Sequence, residues 1–181
     1  MLSNQQIAEA CAELLRLTQL GSAQAASALG LLYYRGVRWE GAPFSEVLEN
    51  CRRAAIQGNS YAQYVMALYE GRQGDRSKEW FWLQKSNKQQ FGPALTESAR
   101  LAANVAGNPK LALAYIKRGL KARNLPAFFL LALCCLNGKF GFQWRPLGII
   151  LYPVALIAMT IALFCFRYSE RVLVSPNTEP K

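Results

Sequence analysis

The chain has 181 residues, 52% of them hydrophobic, with 21 Lys and Arg against 11 Asp and Glu, a formal net charge of +10 and no histidine. Lacking histidine, it is closed to His-based acid–base chemistry, to Ser-His-Asp and Cys-His nucleophiles and to most metal-ligand sets. It also has no GxxxxGK(S/T) phosphate loop and no GxGxxG turn, so the expectation is a non-enzyme without cofactor or metal. Glu46 and Glu49 share a helix face but read as solvated surface. The five cysteines, Cys11, Cys51, Cys134, Cys135 and Cys165, are odd in number and lack CxxC spacing. They read as reduced thiols in a reducing compartment.

Helix signals follow one another at short intervals, and nothing alternates like a strand. Ser3 and Gln6 form a capping box for a helix to about Gln19, ended near Gly21. A second helix covers Ala23–Tyr34 and stops at Gly36. Residues 37–44, with Gly41 and Pro43, read as a loop. Ser45 is expected to cap a third helix to about Gln57, closed by Gly58 and Asn59. The fourth, Ser60–Glu70, is expected to end at Gly71 and Gly74. Ser77–Gln89 follows. Gly92-Pro93, Asn108-Pro109 and Asn124-Leu125-Pro126 then open three more, each with Pro in its first turn. Eight helices make four hairpins.

Pro146–Phe166, PLGIILYPVALIAMTIALFCF, has no charge and sits between Arg145 and Arg167. A helix of this length covers about 30 Å, the thickness of a bilayer core. Eleven of its residues are Leu, Ile, Val or Phe, so insertion is favoured by about a few kcal/mol. Pro153 frees the carbonyl of Ile149 and predicts a kink. The reading is residues 1–138 as a helical repeat domain, 139–145 as a basic and aromatic linker, 146–166 as a transmembrane helix and 167–181 as a short disordered tail. The run Pro126–Leu136 is too short to span. It is expected to dock on the membrane or on the transmembrane helix, with a re-entrant segment as the alternative.

The hairpins repeat one unit. Ala25-x-x-x-Leu29-Gly30 returns as Ala62-x-x-x-Met66-Ala67, Ala94-x-x-x-Ser98-Ala99 and Ala127-x-x-x-Leu131-Ala132. Small residues at fixed points let helices approach closely, and a hairpin this short must stack on its neighbours to bury its apolar face. Ala25, Leu29, Gly30, Tyr33 and Gly36, with Ala54, Ala55 and Gly58 and then Trp82 and Lys85, resemble the Sel1-like repeat, a relative of the tetratricopeptide repeat. The resemblance covers roughly residues 10–138 and decays toward the C-terminus, where Ser98 stands for Leu and Gln90 for Gly. It implies an all-α solenoid, a right-handed superhelix of helix pairs that works as a scaffold and carries no catalytic residues. Members of that family act as adaptors in bacterial secretion, envelope and signalling assemblies and in eukaryotic ER-associated degradation.

Placing the matched Leu at its family position puts Gln24, Ser27, Leu31 and Tyr34 on the concave face from the first unit. Tyr61, Tyr64 and Leu68 come from the second, and Thr96 and Arg100 from the third. Tyr and Arg often dominate interface energetics, and packing on the neighbouring helix is the alternative for Tyr61 and Tyr64. Trp80, Phe81 and Trp82 read as core and inter-repeat packing.

Residues 1–97 nearly balance, with ten basic and nine acidic residues, whereas Ser98–Ser169 contains no acidic residue. Arg100, Lys110, Lys117, Arg118, Lys121, Arg123, Lys139 and Arg145 all precede the apolar segment. A basic stretch beside a membrane is drawn to anionic headgroups by about 1 kcal/mol per charge, which favours lipid over nucleic acid, with a solvated basic face that has no partner as the third reading. The near-neutral start of the chain lacks a secretory signal, and charges flanking the span are almost balanced. The expectation is a single-pass protein, with the repeat domain cytoplasmic, in a bacterial inner membrane. Its function is read as a scaffold recruiting an unidentified protein partner. The alternative is a small structural subunit of a secretion or envelope complex assembled through the span.

Overall fold

The structure, a computed structural model, describes residues 4–37 and 41–173. Among these it is all-helical: α1 (Asn4–Gln19), α2 (Ala23–Tyr34), α3 (Phe44–Ile56), α4 (Ser60–Arg72), α5 (Arg76–Lys88), α6 (Gly92–Asn104), α7 (Pro109–Lys121), α8 (Leu125–Leu136) and α9 (Arg145–Leu173), with a 3-10 turn at Phe142–Trp144. The chain falls into two compact units, Met1–Ser98 and Ala99–Lys181, with the division inside α6. The expected capping role of Ser3 lies outside the described residues.

In the first unit α2 packs on α1, α3 and α4, and α5 packs on α4. The small residues of the repeat are the contact points. Ala26, Ala54, Ala55 and Ala62 are buried with Val65, Met66 and Cys51 in one cluster, and Leu29, Tyr33 and Val47 join Cys11 in another. A fully buried aliphatic side chain stabilises by about 1.5–3 kcal/mol, so Leu29, Val65, Met66 and Leu83 carry much of the fold. Gly30 sits where α2 meets both α3 and α4. A Cβ there would stand 3.2 Å from Cys51 Sγ and 3.2 Å from Val65 Cγ1. Two tyrosine hydroxyls tie the layers: Tyr69 donates to the Gly30 carbonyl (2.9 Å) and Tyr33 to that of Ala42 (2.8 Å).

Several helix starts differ from the sequence reading. The α3 N-cap is Pro43, with no side-chain bond, so Ser45 is already inside the helix. α5 starts at Arg76, one residue before the expected Ser77, and Asp75 caps it by accepting from the Lys78 amide. Asn59, read as a terminator of α3, instead accepts from the Ala62 amide and caps α4. Of the two glycines expected to end α4, Gly74 follows its C-cap with positive φ, whereas Gly71 lies inside the helix, which runs on to Arg72. Gly71 is a glycine for a packing reason: a Cβ there would lie 2.5 Å from Oε1 of Glu79, a buried carboxylate held by Arg76 at 2.6 Å. A small residue on α4 leaves room for an ion-paired one on α5.

Each of α1 to α8 is followed by a residue of positive φ. Six of these are glycines, and Gln90 (φ 57°) and Arg123 (φ 55°) take the place at the other two. The left-handed conformation costs an L-residue about 1–2 kcal/mol, offset in part by the smaller chain entropy lost compared with glycine. Gln90→Gly is therefore expected to stabilise the first unit by about 0.5–1 kcal/mol, read as a higher midpoint in thermal unfolding. A lower midpoint would show that the Gln90 side chain, exposed here, stabilises the fold by more than its backbone strain costs.

The second unit joins α7, α8 and α9. α8 packs on α7 and on α9. Cβ at Gly148 would fall on the backbone of Leu136 and Cys135, while Phe129 stacks 5.5 Å from Tyr152. Contacts that descend α8 as they ascend α9 make the pair antiparallel. The apolar run of α8 packs on α9, one of the two sites expected for it. The linker is the 3-10 turn feeding directly into α9. The helix continues to Leu173, so the tail is helical for seven residues more than expected, because nothing between Phe166 and Leu173 breaks a helix. Residues 174–181 lie outside the described residues.

Candidate binding surfaces

A groove of about 480 Å³ opens on the first unit between Leu14 and Leu17 of α1, Gln24 and Ala28 of α2, and Tyr61 of α4, with Phe91 at one end. Gln24 is exposed there, and Tyr61 is half-buried. Tyr61 and Tyr64 each lie 5.8 Å from the Phe91 ring and pack against the Val65 and Met66 cluster. Burial holds the Tyr64 hydroxyl up at about 12, and burial likewise raises that of Tyr61. Both rings therefore pack the repeat, and Tyr61 also lines the groove.

Ser27, Tyr34 and Leu68, all expected on the concave face, do not line this groove. Ser27 is fully buried, because its hydroxyl donates to the Ala23 carbonyl (2.6 Å) and meets Asn59 Oδ1 (3.3 Å). It is a joint between α2 and the α4 cap rather than open surface. Tyr34 does not line this groove. It packs edge-on to Tyr69 at 5.4 Å, under the Arg72 guanidinium 4.2 Å from its ring, while Arg72 also donates to its carbonyl. Arg100 is exposed and belongs to the second unit. Leu68 is buried as well. Phe81 is not core: it is 51% exposed, with the Lys85 ammonium 4.5 Å over its ring and 5.3 Å from Trp82.

Sequence reasoning missed Leu14, Leu17 and Phe91, because it drew the groove only from the helices carrying the Ala-x-x-x-Leu motif. The turn that departs from the repeat at Gln90 was the available signal for Phe91, which follows it. Side chain to backbone bonds tie α4 and the turn before it to α3 and α5: Gln63 to the Ala55 carbonyl, Gln89 to that of Gly58 and Ser86 to that of Ser60.

The basic residues gather in the second unit. Lys110, Lys117 and Lys121 are exposed on α7, while Ala112, Ile116 and Gly119 of the same helix are buried. Arg118 reaches over the Tyr115 ring at 5.8 Å. Arg123 occupies the positive-φ turn before α8, Lys139 is exposed, and Arg145 lies 5.3 Å from the Phe142 ring. Among the described residues no group of three or more Cys, Asp or Glu is placed to hold a metal ion. Cys11, Cys51, Cys134 and Cys135 are buried free thiols, and burial pushes Cys51 up to about 12, so it is not a thiolate nucleophile near neutral pH.

No protein-family model matches the chain, and no curated protein matches it. Among solved structures it is similar to a protective antigen present in uropathogenic Escherichia coli strains that displays an SLR fold, with a TM-score of 0.60 and 23% identity. The match covers 78% of this chain and 32% of that one, so the chain spans about a third of that protein's length. The likeness establishes the fold, an α-solenoid of helical hairpins.

Proposed function

We propose that the chain is a membrane-anchored repeat scaffold that holds a protein partner in the groove between α1, α2 and α4. The observation that carries the anchoring is the exposure of α9. Phe142–Ala162 is apolar and long enough to cross a bilayer, yet only 11% of its most apolar stretch is buried. A core helix of a soluble protein hides such a surface; here Ile149, Ile150, Val154, Ile157 and Ile161 are all more than half exposed. The polar group within it is satisfied in place, since Thr160 donates to the carbonyls of Leu156 and Ile157, as a hydrocarbon setting requires. Lys110, Lys117, Arg118, Lys121, Arg123, Lys139 and Arg145 supply attraction for anionic headgroups. A bacterial inner membrane with the repeats on the cytoplasmic side is the arrangement we propose.

The full chain is expected to sediment with membranes and to stay there through an alkaline carbonate wash. Recovery of most of the chain in the soluble fraction would overturn the anchor. The groove is tested separately. Gln24→Trp fills it from an exposed position, so melting should hardly change while a partner recovered with the wild-type chain is lost. Tyr64→Ala instead removes packing from beneath the groove and should cost about 1–3 kcal/mol of stability. A Gln24→Trp chain that keeps its full set of partners would remove this groove from the function.

A further inference from the structure

The second unit holds a cavity of about 480 Å³ between α7, α8 and the turn leading into α9. Leu113 of α7, Leu131 of α8, Trp144 of the 3-10 turn and Leu147 at the start of α9 make its walls apolar, and Lys110 and Lys117, both exposed, stand on its α7 side. They are two turns apart on one helix face. No carboxylate lines the cavity, and the sequence has none from Ser98 to Ser169. The volume falls in the range of small-ligand sites.

An apolar slot beside two ammonium groups is complementary to an amphiphile with a hydrocarbon chain and a negative head. Its position narrows the class. The cavity adjoins the 3-10 turn before α9, where Phe142 (78% exposed) and Trp144 (46% exposed) leave aromatic surface uncovered, and aromatic side chains favour the headgroup level of a bilayer. Water-exposed aromatics at the foot of a bare apolar helix suit a lipid surface better than a protein helix. We propose that this cavity binds one anionic phospholipid, with an acyl chain against Leu113, Leu131 and Leu147 and its phosphate on Lys110 and Lys117. This rests on the anchoring reading and adds a single stoichiometric lipid to it: the anchor then carries a preference for anionic membrane.

The test uses the full chain in nanodiscs holding equal amounts of phosphatidylglycerol and phosphatidylcholine, extracted into mild detergent and counted by native mass spectrometry. One phosphatidylglycerol per chain is expected to stay bound, at least tenfold in excess of phosphatidylcholine. Lys110→Glu with Lys117→Glu, both on exposed positions, should abolish that preference, and Leu131→Trp should expel lipid of either kind. Leu113→Trp fills the same slot from α7 and stands in if Leu131→Trp loses helix content. Equal retention of both lipids, retention unchanged in the slot-filled chain, or a protein chain retained in place of lipid would each overturn the proposal. A chain that resists carbonate but keeps no lipid defeats the lipid site alone, whereas one that washes off membranes yet keeps the lipid defeats the anchor alone.

Discussion

A Gly30→Leu chain is expected to lose about 3 kcal/mol or more of stability in its first unit, and Gly30→Ala about 1 kcal/mol. The difference follows from what each adds. An alanine Cβ stands 3.2 Å from both Cys51 Sγ and Val65 Cγ1, and each neighbour must yield by a few tenths of an ångström. Leucine adds three further carbons where α3 and α4 already close on α2, and overpacking of this kind costs about 1–3 kcal/mol or more. The Tyr69–Gly30 hydrogen bond of 2.9 Å is drawn open as well; a buried carbonyl left unpaired costs about 1–3 kcal/mol. For a chain of this size 3 kcal/mol lowers the midpoint by roughly 10 °C, easily read by circular dichroism. Equal midpoints for the Leu and wild-type chains would show that α2 can shift away without loss, and that the small-residue rule of the repeat does not govern this contact.

The repeat was legible because its physics is local. Small or apolar residues recur at the positions of Ala25, Leu29 and Gly30 with helical spacing, and these three are buried where that spacing puts them. Helix ends were legible where Pro or Gly punctuates the chain, as at Gly36 and Pro109. They were misread where a polar residue has two uses. Asn59 looks like an end and is a cap; Gly71 looks like a breaker and is a space left for Glu79, eight residues on in the next helix. The candidate surfaces were legible only by residue type. Ser27 lies at a groove-like spacing, but its hydroxyl is consumed by Ala23 and Asn59. Phe91 closes the groove from a turn, where no periodicity points to it. Long-range partners of this kind are set by stacking between hairpins, which a pattern along one helix does not encode.

Gly148→Leu is expected to part α8 from α9. Its Cβ would meet the backbone of Leu136 and Cys135, which cannot turn aside as a side chain does, so the helices must separate along their whole contact. Phe129 then leaves Tyr152, and Ala155, now 1% exposed, is uncovered. The loss is expected to reach about 3 kcal/mol, near the cost of emptying a large buried site, and to appear as a midpoint roughly 10 °C lower in detergent. The same substitution separates the scaffold from a subunit built around its span. Leucine leaves α9 as apolar as before, so carbonate resistance should persist in both cases. A scaffold keeps its partner, because the groove of the first unit is untouched. A subunit whose working surface is the α8–α9 pair loses its complex while staying in the membrane. An unchanged midpoint would mean that α9 does not lean on α8 at Gly148, and that the pair is not the rigid element both readings assume.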